Sequence, residues 1–145
     1  MFQKLKNRIQ KSNLEQPIKT TLERNSRLVL WYNTVSQLFN QGIDVHGKRF
    51  HGYSRFTIGI KKAKGQPFNR VTLKDTGELH RSAKLILTDK EASIRMTREE
   101  NGEDIAEKLR YNFGEYEGLT EESRKKLMKQ LKPEIVKRFR ETIKL

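Results

Sequence analysis

The chain contains no cysteine. Disulfides, thiolate metal sites and a cysteine nucleophile are therefore excluded, and the absence fits a reducing cytosol. Proline is scarce, three in 145 residues. No apolar run approaches the length of a membrane span, so no membrane partner is expected. The stretch Met1 to Lys11 sets Phe2, Leu5 and Ile9 between charges. That spacing predicts a short amphipathic helix ending at Ser12-Asn13, not a signal peptide. No glycine-rich phosphate loop is present, and Ser36, Ser54 and Ser82 lack a nucleophile signature. Negative charge is also in short supply: 18 acidic residues face 31 basic ones, a net charge of +13. With 34% hydrophobic residues, the chain suits one domain with a modest core and a heavily solvated exterior.

The positive charge is concentrated. Residues 48–74 hold Lys48, Arg49, Arg55, Lys61, Lys62, Lys64, Arg70 and Lys74, and no acidic residue. Such a stretch attracts polyanions without specifying which. Phe50, Tyr53 and Phe56 are interleaved with it, and Phe68 follows. That mixture suits single-stranded nucleic acid, through phosphate contact and base stacking. The alternative is a solvated loop whose aromatics are pinned to the core.

Periodicity predicts the rest. Pro17 suits a first helical turn. Ile18, Leu22, Leu28, Val29, Trp31, Val35, Leu38 and Phe39 then form the apolar face of a long helix that stops at Gly42. Residues 42–77 read mostly as loop. Ser54 is placed to cap a short helix through Phe56, Ile58 and Ile60, which also alternate like a strand. Residues 84–88 and 92–97 predict an antiparallel hairpin around Thr88-Asp89-Lys90-Glu91, with 71–73 as a possible third strand. Asn101 to Asn112 reads as a helix ended by Gly114. Thr120 caps a last helix, with Glu121 and Glu122 near its positive end. There Leu127, Leu131, Ile135, Phe139 and Ile143 recur every four residues, and Pro133 is expected to kink or split it.

Asp75-Thr76-Gly77 has the composition of an aspartic-protease catalytic tripeptide. That chemistry needs two carboxylates sharing a proton in a dry cleft. Here Lys74, Glu78, His80 and Arg81 surround the aspartate, and Lys74 and Arg81 should lower its pKa. The better reading is a capping turn: Asp75 or Thr76 accepts from downstream N–H groups, Gly77 permits the bend, and one helical turn follows over 78–82. His46 and His51 with Asp44 could be drawn as a metal or nuclease site. No histidine pair has i, i+4 spacing and no ligand motif is present, so solvent-exposed loop histidines are expected.

These residues carry a resemblance. Gln41 to Leu87 resembles the central signature of bacteriophage virion-morphogenesis and tail-completion proteins. The matching positions are Gly42, Asp44 and Gly47, then Tyr53 and Ser54, Thr57 and Lys61, then Val71, Leu73, Asp75, Thr76, Gly77, Leu79 and Ser82. The Gly-Leu-Thr step into the last helix, within "NFGEYEGLTEESRKKLMKQL", is similar to the close of related phage proteins. The segment Ile105 to Gly114 departs from the family pattern, matching it only in part. The resemblance implies a structural protein of the head–tail joint or tail that helps build or close a ring around the DNA channel. It implies no catalytic residue.

The expectation is an α+β domain over 1–145. An N-terminal helical region (1–41) and C-terminal helices (101–145) pack on a small antiparallel sheet in a hairpin region (78–100), and a long basic loop (42–77) protrudes. No enzyme activity, cofactor or metal is expected. Asp75, Thr76 and Gly77 form a structural turn. Lys48, Arg49, Arg55, Lys61, Lys62, Lys64 and Arg70 contact portal, neck or tail subunits, other copies in a homo-oligomeric ring, or DNA without sequence preference. The expected location is the virion, and the host cytoplasm during assembly. The alternative is a free-standing basic nucleic-acid-binding protein.

Overall fold

A computed structural model describes residues 15–143. The amphipathic helix and break predicted over 1–13 lie outside the described residues. The architecture is mixed α and β, with helices flanking small antiparallel hairpins.

The long first helix is three consecutive pieces. Helix α1 (Glu15–Arg24) and helix α2 (Ser26–Trp31) meet at Asn25, whose φ of −108° and ψ of 25° are non-helical. Asn25 Nδ2 secures the break by donating to Thr21 O at 2.8 Å and Glu134 Oε2 at 2.9 Å. The chain then widens into a π-helix (Tyr32–Gln41), whose bonds reach one residue further than α-helical ones. Gly42 ends it as expected, at φ +63°. A Cβ there would lie 2.9 Å from Val71 O, so only glycine fits. Of the predicted apolar face, Val29 and Leu38 are buried, whereas Ile18 and Trp31 are exposed.

The basic segment 42–77 is mostly loop, as expected, and holds the one short helix that Ser54 is placed to cap. Helix α3 (Arg55–Ala63) occupies its middle, with Thr57 N donating to the Ser54 cap at 3.2 Å. Helix therefore wins over strand at Phe56, Ile58 and Ile60. Residues 71–73 are not a strand: Leu73 turns to φ +54°, which ends any extended run. Helix α4 (Glu78–Arg81) is the single turn expected before the hairpin.

Strands β1 (Lys84–Leu87) and β2 (Ala92–Arg95) pair antiparallel, with Leu85 opposite Ile94. The Thr88 hydroxyl ties their turn by accepting from Glu91 N at 3.1 Å. A second hairpin follows where a helix was expected. Strands β3 (Glu99–Glu100) and β4 (Glu103–Asp104) flank Asn101-Gly102, whose φ values of +51° and +80° suit a tight two-residue hairpin turn. Helix α5 (Ile105–Phe113) starts only after Asp104, which accepts from Glu107 N at 3.0 Å.

Helix α6 (Glu121–Ile143) is capped by Thr120, whose hydroxyl accepts from Ser123 N at 3.0 Å. Pro133 lies inside it without dividing it in two. Flanking packing supplies the stability that the missing N–H removes: Leu131 is buried and Glu134 bonds Asn25.

The core forms two clusters. Val29, Tyr32, Ile94, Leu127 and Leu131 join α2, β2 and α6. Leu38, Leu79, Met96, Ala106 and Tyr116 join the π-helix, α4 and α5. Each buried Val, Leu, Ile or Met side chain here contributes roughly 1.5–3 kcal/mol by leaving water. Among the described residues, no helix is long and apolar enough to cross a membrane.

Candidate functional site

The Asp75-Thr76-Gly77 turn ends the loop from α3 and leads directly into α4. Gly77 is the N-cap residue of α4, and Thr76 closes the turn before it, its hydroxyl accepting from Glu78 N at 3.3 Å. Gly77 has φ +86°, and a Cβ on it would meet Arg81 Nη1 at 2.7 Å. The Asp75 carboxylate does not cap. It faces α3 and accepts from Lys64 Nζ at 2.9 Å and Gln66 Nε2 at 3.3 Å. Gln66 Nε2 also donates to the Asp75 carbonyl at 3.0 Å, and Lys61 Nζ donates to Lys74 O at 2.7 Å. Lys61, Lys64 and Gln66 thus fasten α3 to the turn.

The hydrogen bonds from Lys64 and then Gln66 hold the Asp75 carboxyl below its ordinary value of 3.8, and the charge of Lys61 adds to them. The lowering expected from sequence is present, but Lys74 and Arg81 are not its cause. The side chain is 46% exposed. A wet, cation-paired carboxylate is the opposite of a proton-sharing catalytic pair in a dry cleft. Asp75→Asn is expected to cost about 0.2–1 kcal/mol near neutral pH, the range of an exposed ion pair. A depressed folded pKa gives stability that is present above the unfolded value and lost as pH falls through the folded one. Urea midpoints of parent and variant should therefore differ near neutrality and converge below pH 3.8. A constant gap would contradict the tether.

The basic residues divide into two groups. Lys61 is 8% exposed, with its ammonium over the Tyr53 ring at 5.4 Å, so it is removed from the contact set. Arg70 donates through Nε to Phe39 O at 2.7 Å and stacks over that ring, and Lys64 is bound to Asp75. Lys48, Arg49, Arg55 and Lys62 are exposed, although Arg49 donates through Nη2 to Asn69 O at 3.3 Å and the Lys62 ammonium lies 4.8 Å from the Phe68 ring centre. Their aromatic neighbours divide likewise. Phe50 packs edge-on against Phe113, and the Tyr53 hydroxyl accepts from Thr72 N at 3.0 Å. Phe56 stands 79% exposed.

The three histidines do not converge. His46 Nε2 lies 3.4 Å from Glu115 Oε2, and His51 stacks on Phe113. Asp44 is occupied in a turn, accepting from His46 N and Lys48 N at 2.9 Å each. Among the described residues, no group of three acidic, histidine or cysteine side chains is placed to hold a metal ion. His80 lies in α4, the helical turn expected over 78–82. It is half-buried, with Nε2 3.0 Å from Thr72 O. Burial lowers its pKa, outweighing the opposing hydrogen bond. Folding therefore favours neutral His80: stability is complete above the unfolded value of 6.5 and falls as pH drops below it, until the folded value is passed. His80→Gln should flatten that slope in urea titrations, and an unchanged slope would assign it to other groups.

Sequence reasoning missed Gln66, whose part in the tether no motif announces. It also missed the exposure of Tyr111 and the network around Glu117. The comparisons give this chain no relative: no protein-family model, no curated protein and no solved structure matches it.

Proposed function

We propose that this chain is a non-enzymatic structural protein of a bacteriophage virion, a ring subunit of the head–tail joint or tail around the DNA channel. One observation carries the reading. The Asp75 turn spends its carboxylate on fastening α3, a helix that presents Phe56, Arg55 and Lys62 to solvent. Fastening an exposed helix is what a docking element needs. The resemblance of 41–87 to tail-completion proteins points the same way. Sequence-blind Lys and Arg contacts also suit a channel through which DNA must slide.

A second reading, a free-standing nucleic-acid-binding protein, draws on the same exposed Phe56 beside basic residues. Light scattering after size-exclusion chromatography, with and without DNA, separates them. The virion reading predicts a monomer or weak self-association and no tight DNA complex. The alternative predicts a large shift at low salt that disappears as salt rises.

A further inference from the structure

Helix α3 carries its apolar face outward. Phe56, Gly59, Ile60 and Ala63 fall at i, i+3, i+4 and i+7, one face of a helix, and all four are exposed. The inner face carries half-buried Thr57 and Ile58 and buried Lys61. Helical periodicity sets Arg55 and Lys62 beside the outward stripe. A Cβ added to Gly59 would meet nothing within 4 Å, so the stripe's centre is open to close approach.

The chain also holds this surface's electrostatic complement. Residues 99–122 contain nine carboxylates and two basic residues. The β3–β4 register sets Glu99 opposite Asp104 and Glu100 opposite Glu103. Like charges in directly opposed positions destabilise a hairpin. Arg98 and Lys108 reach Glu100 and Glu103 at 3.2 Å each; the Lys108 pair is exposed at both ends and offsets little, while Arg98 is largely buried. The carboxylates do not converge on a metal site among the described residues. A broad basic surface therefore suits them better than a single ion. Beside them on α5, Tyr111 is 90% exposed and follows Glu107 by one helical turn. Among the described residues, no ion pair joins 48–64 to 99–107.

We infer that the Phe56–Ile60 face of α3 docks on the β3–β4 hairpin and Tyr111 of a second copy of this chain. Arg55 and Lys62 then face Glu99 and Glu103 across the contact. Nucleic acid would use the two cations and stack a base on Phe56 but leave Ile60 and Ala63 in water; a protein surface covers the whole stripe. The two surfaces differ, so the contact is head-to-tail, and it closes into a ring if the rotation closes. The inference rests on the ring-subunit reading and names that ring's contact.

A charge swap tests it. Two full-length variants are made, Arg55→Glu with Lys62→Glu, and Glu99→Lys with Glu103→Lys. Circular dichroism confirms their folding. Sedimentation at low salt should show weak self-association of the parent, about tenfold or more weakened in each variant, and recovered when the two are mixed. Parent-like association in either variant, no recovery on mixing, or a parent with no self-association would overturn the contact. So would a DNA complex, without self-association, that is lost with Arg55 and Lys62. Failure of the broader reading looks different. A chain that passes the swap but is absent from particles keeps the contact and loses the virion role; a chain present in particles that fails the swap keeps the role and loses the contact.

Discussion

Glu117→Ala is expected to lower the free energy of unfolding by about 3–5 kcal/mol, the cost of stranding a buried ionic partner. The Glu117 side chain is only 8% exposed. Its carboxylate accepts from Arg110 Nε, from Arg110 Nη2 at 3.1 Å and from Met96 N at 2.6 Å, with Arg95 Nη1 at 3.7 Å. Arg110 Nη2 also donates to Met96 O at 2.9 Å. One carboxylate thus links the end of the first hairpin, α5 and the loop before α6. Alanine leaves the guanidinium and the Met96 N–H without it. Glu117→Gln keeps an acceptor for Met96 N and loses the charge, so its cost should fall between parent and alanine. Urea unfolding at neutral pH reads both variants. Equal, small effects would show that the network is solvated and contributes little.

Gln37→Leu is expected to cost roughly 2–4 kcal/mol, because it leaves buried backbone groups unpaired. Gln37 is fully buried. Its Nε2 donates to Gly118 O at 2.9 Å, and its Oε1 accepts from Thr120 N at 3.0 Å. Asn33, on the same π-helix, donates to Tyr116 O at 2.9 Å and Gly118 O at 2.8 Å. These two amides replace the pairing that the segment 116–120 would otherwise lack on its way to α6. Leucine fills the volume and satisfies neither group. Hydrogen exchange at Thr120 and the first turn of α6 should rise along with the loss of stability. An unchanged exchange rate would show that the clamp does not hold the helix start.

Much of the fold was legible where one residue type has one local use. The Thr120 and Ser54 caps, the Gly42 stop and the 84–97 hairpin each follow from a side chain or turn that few conformations satisfy. The readings that failed had competing signals. Asn101-Gly102 is a strong hairpin signal, but the apolar spacing of Ile105, Ala106 and Leu109 drew the predicted helix start four residues too early. Nothing in composition reports the π-helix, because its amides are spent on a segment more than 80 residues away. Ser54 with Phe56, Ile58 and Ile60 points to a short helix here, but not to which of its faces turns outward. An apolar stripe ordinarily points inward, and a lysine such as Lys61 ordinarily points out. The turn at 75–77 was readable as a turn. Its tether was not, because Gln66 and Lys64 meet Asp75 through tertiary geometry.

Quantitative mass spectrometry of virus particles purified from cells that produce this chain weighs the building-block proposal most directly. The chain should be present at a fixed copy number per particle, and Asp75→Asn should leave particles that still contain it. Absence of the chain from particles that are otherwise complete would contradict the proposal.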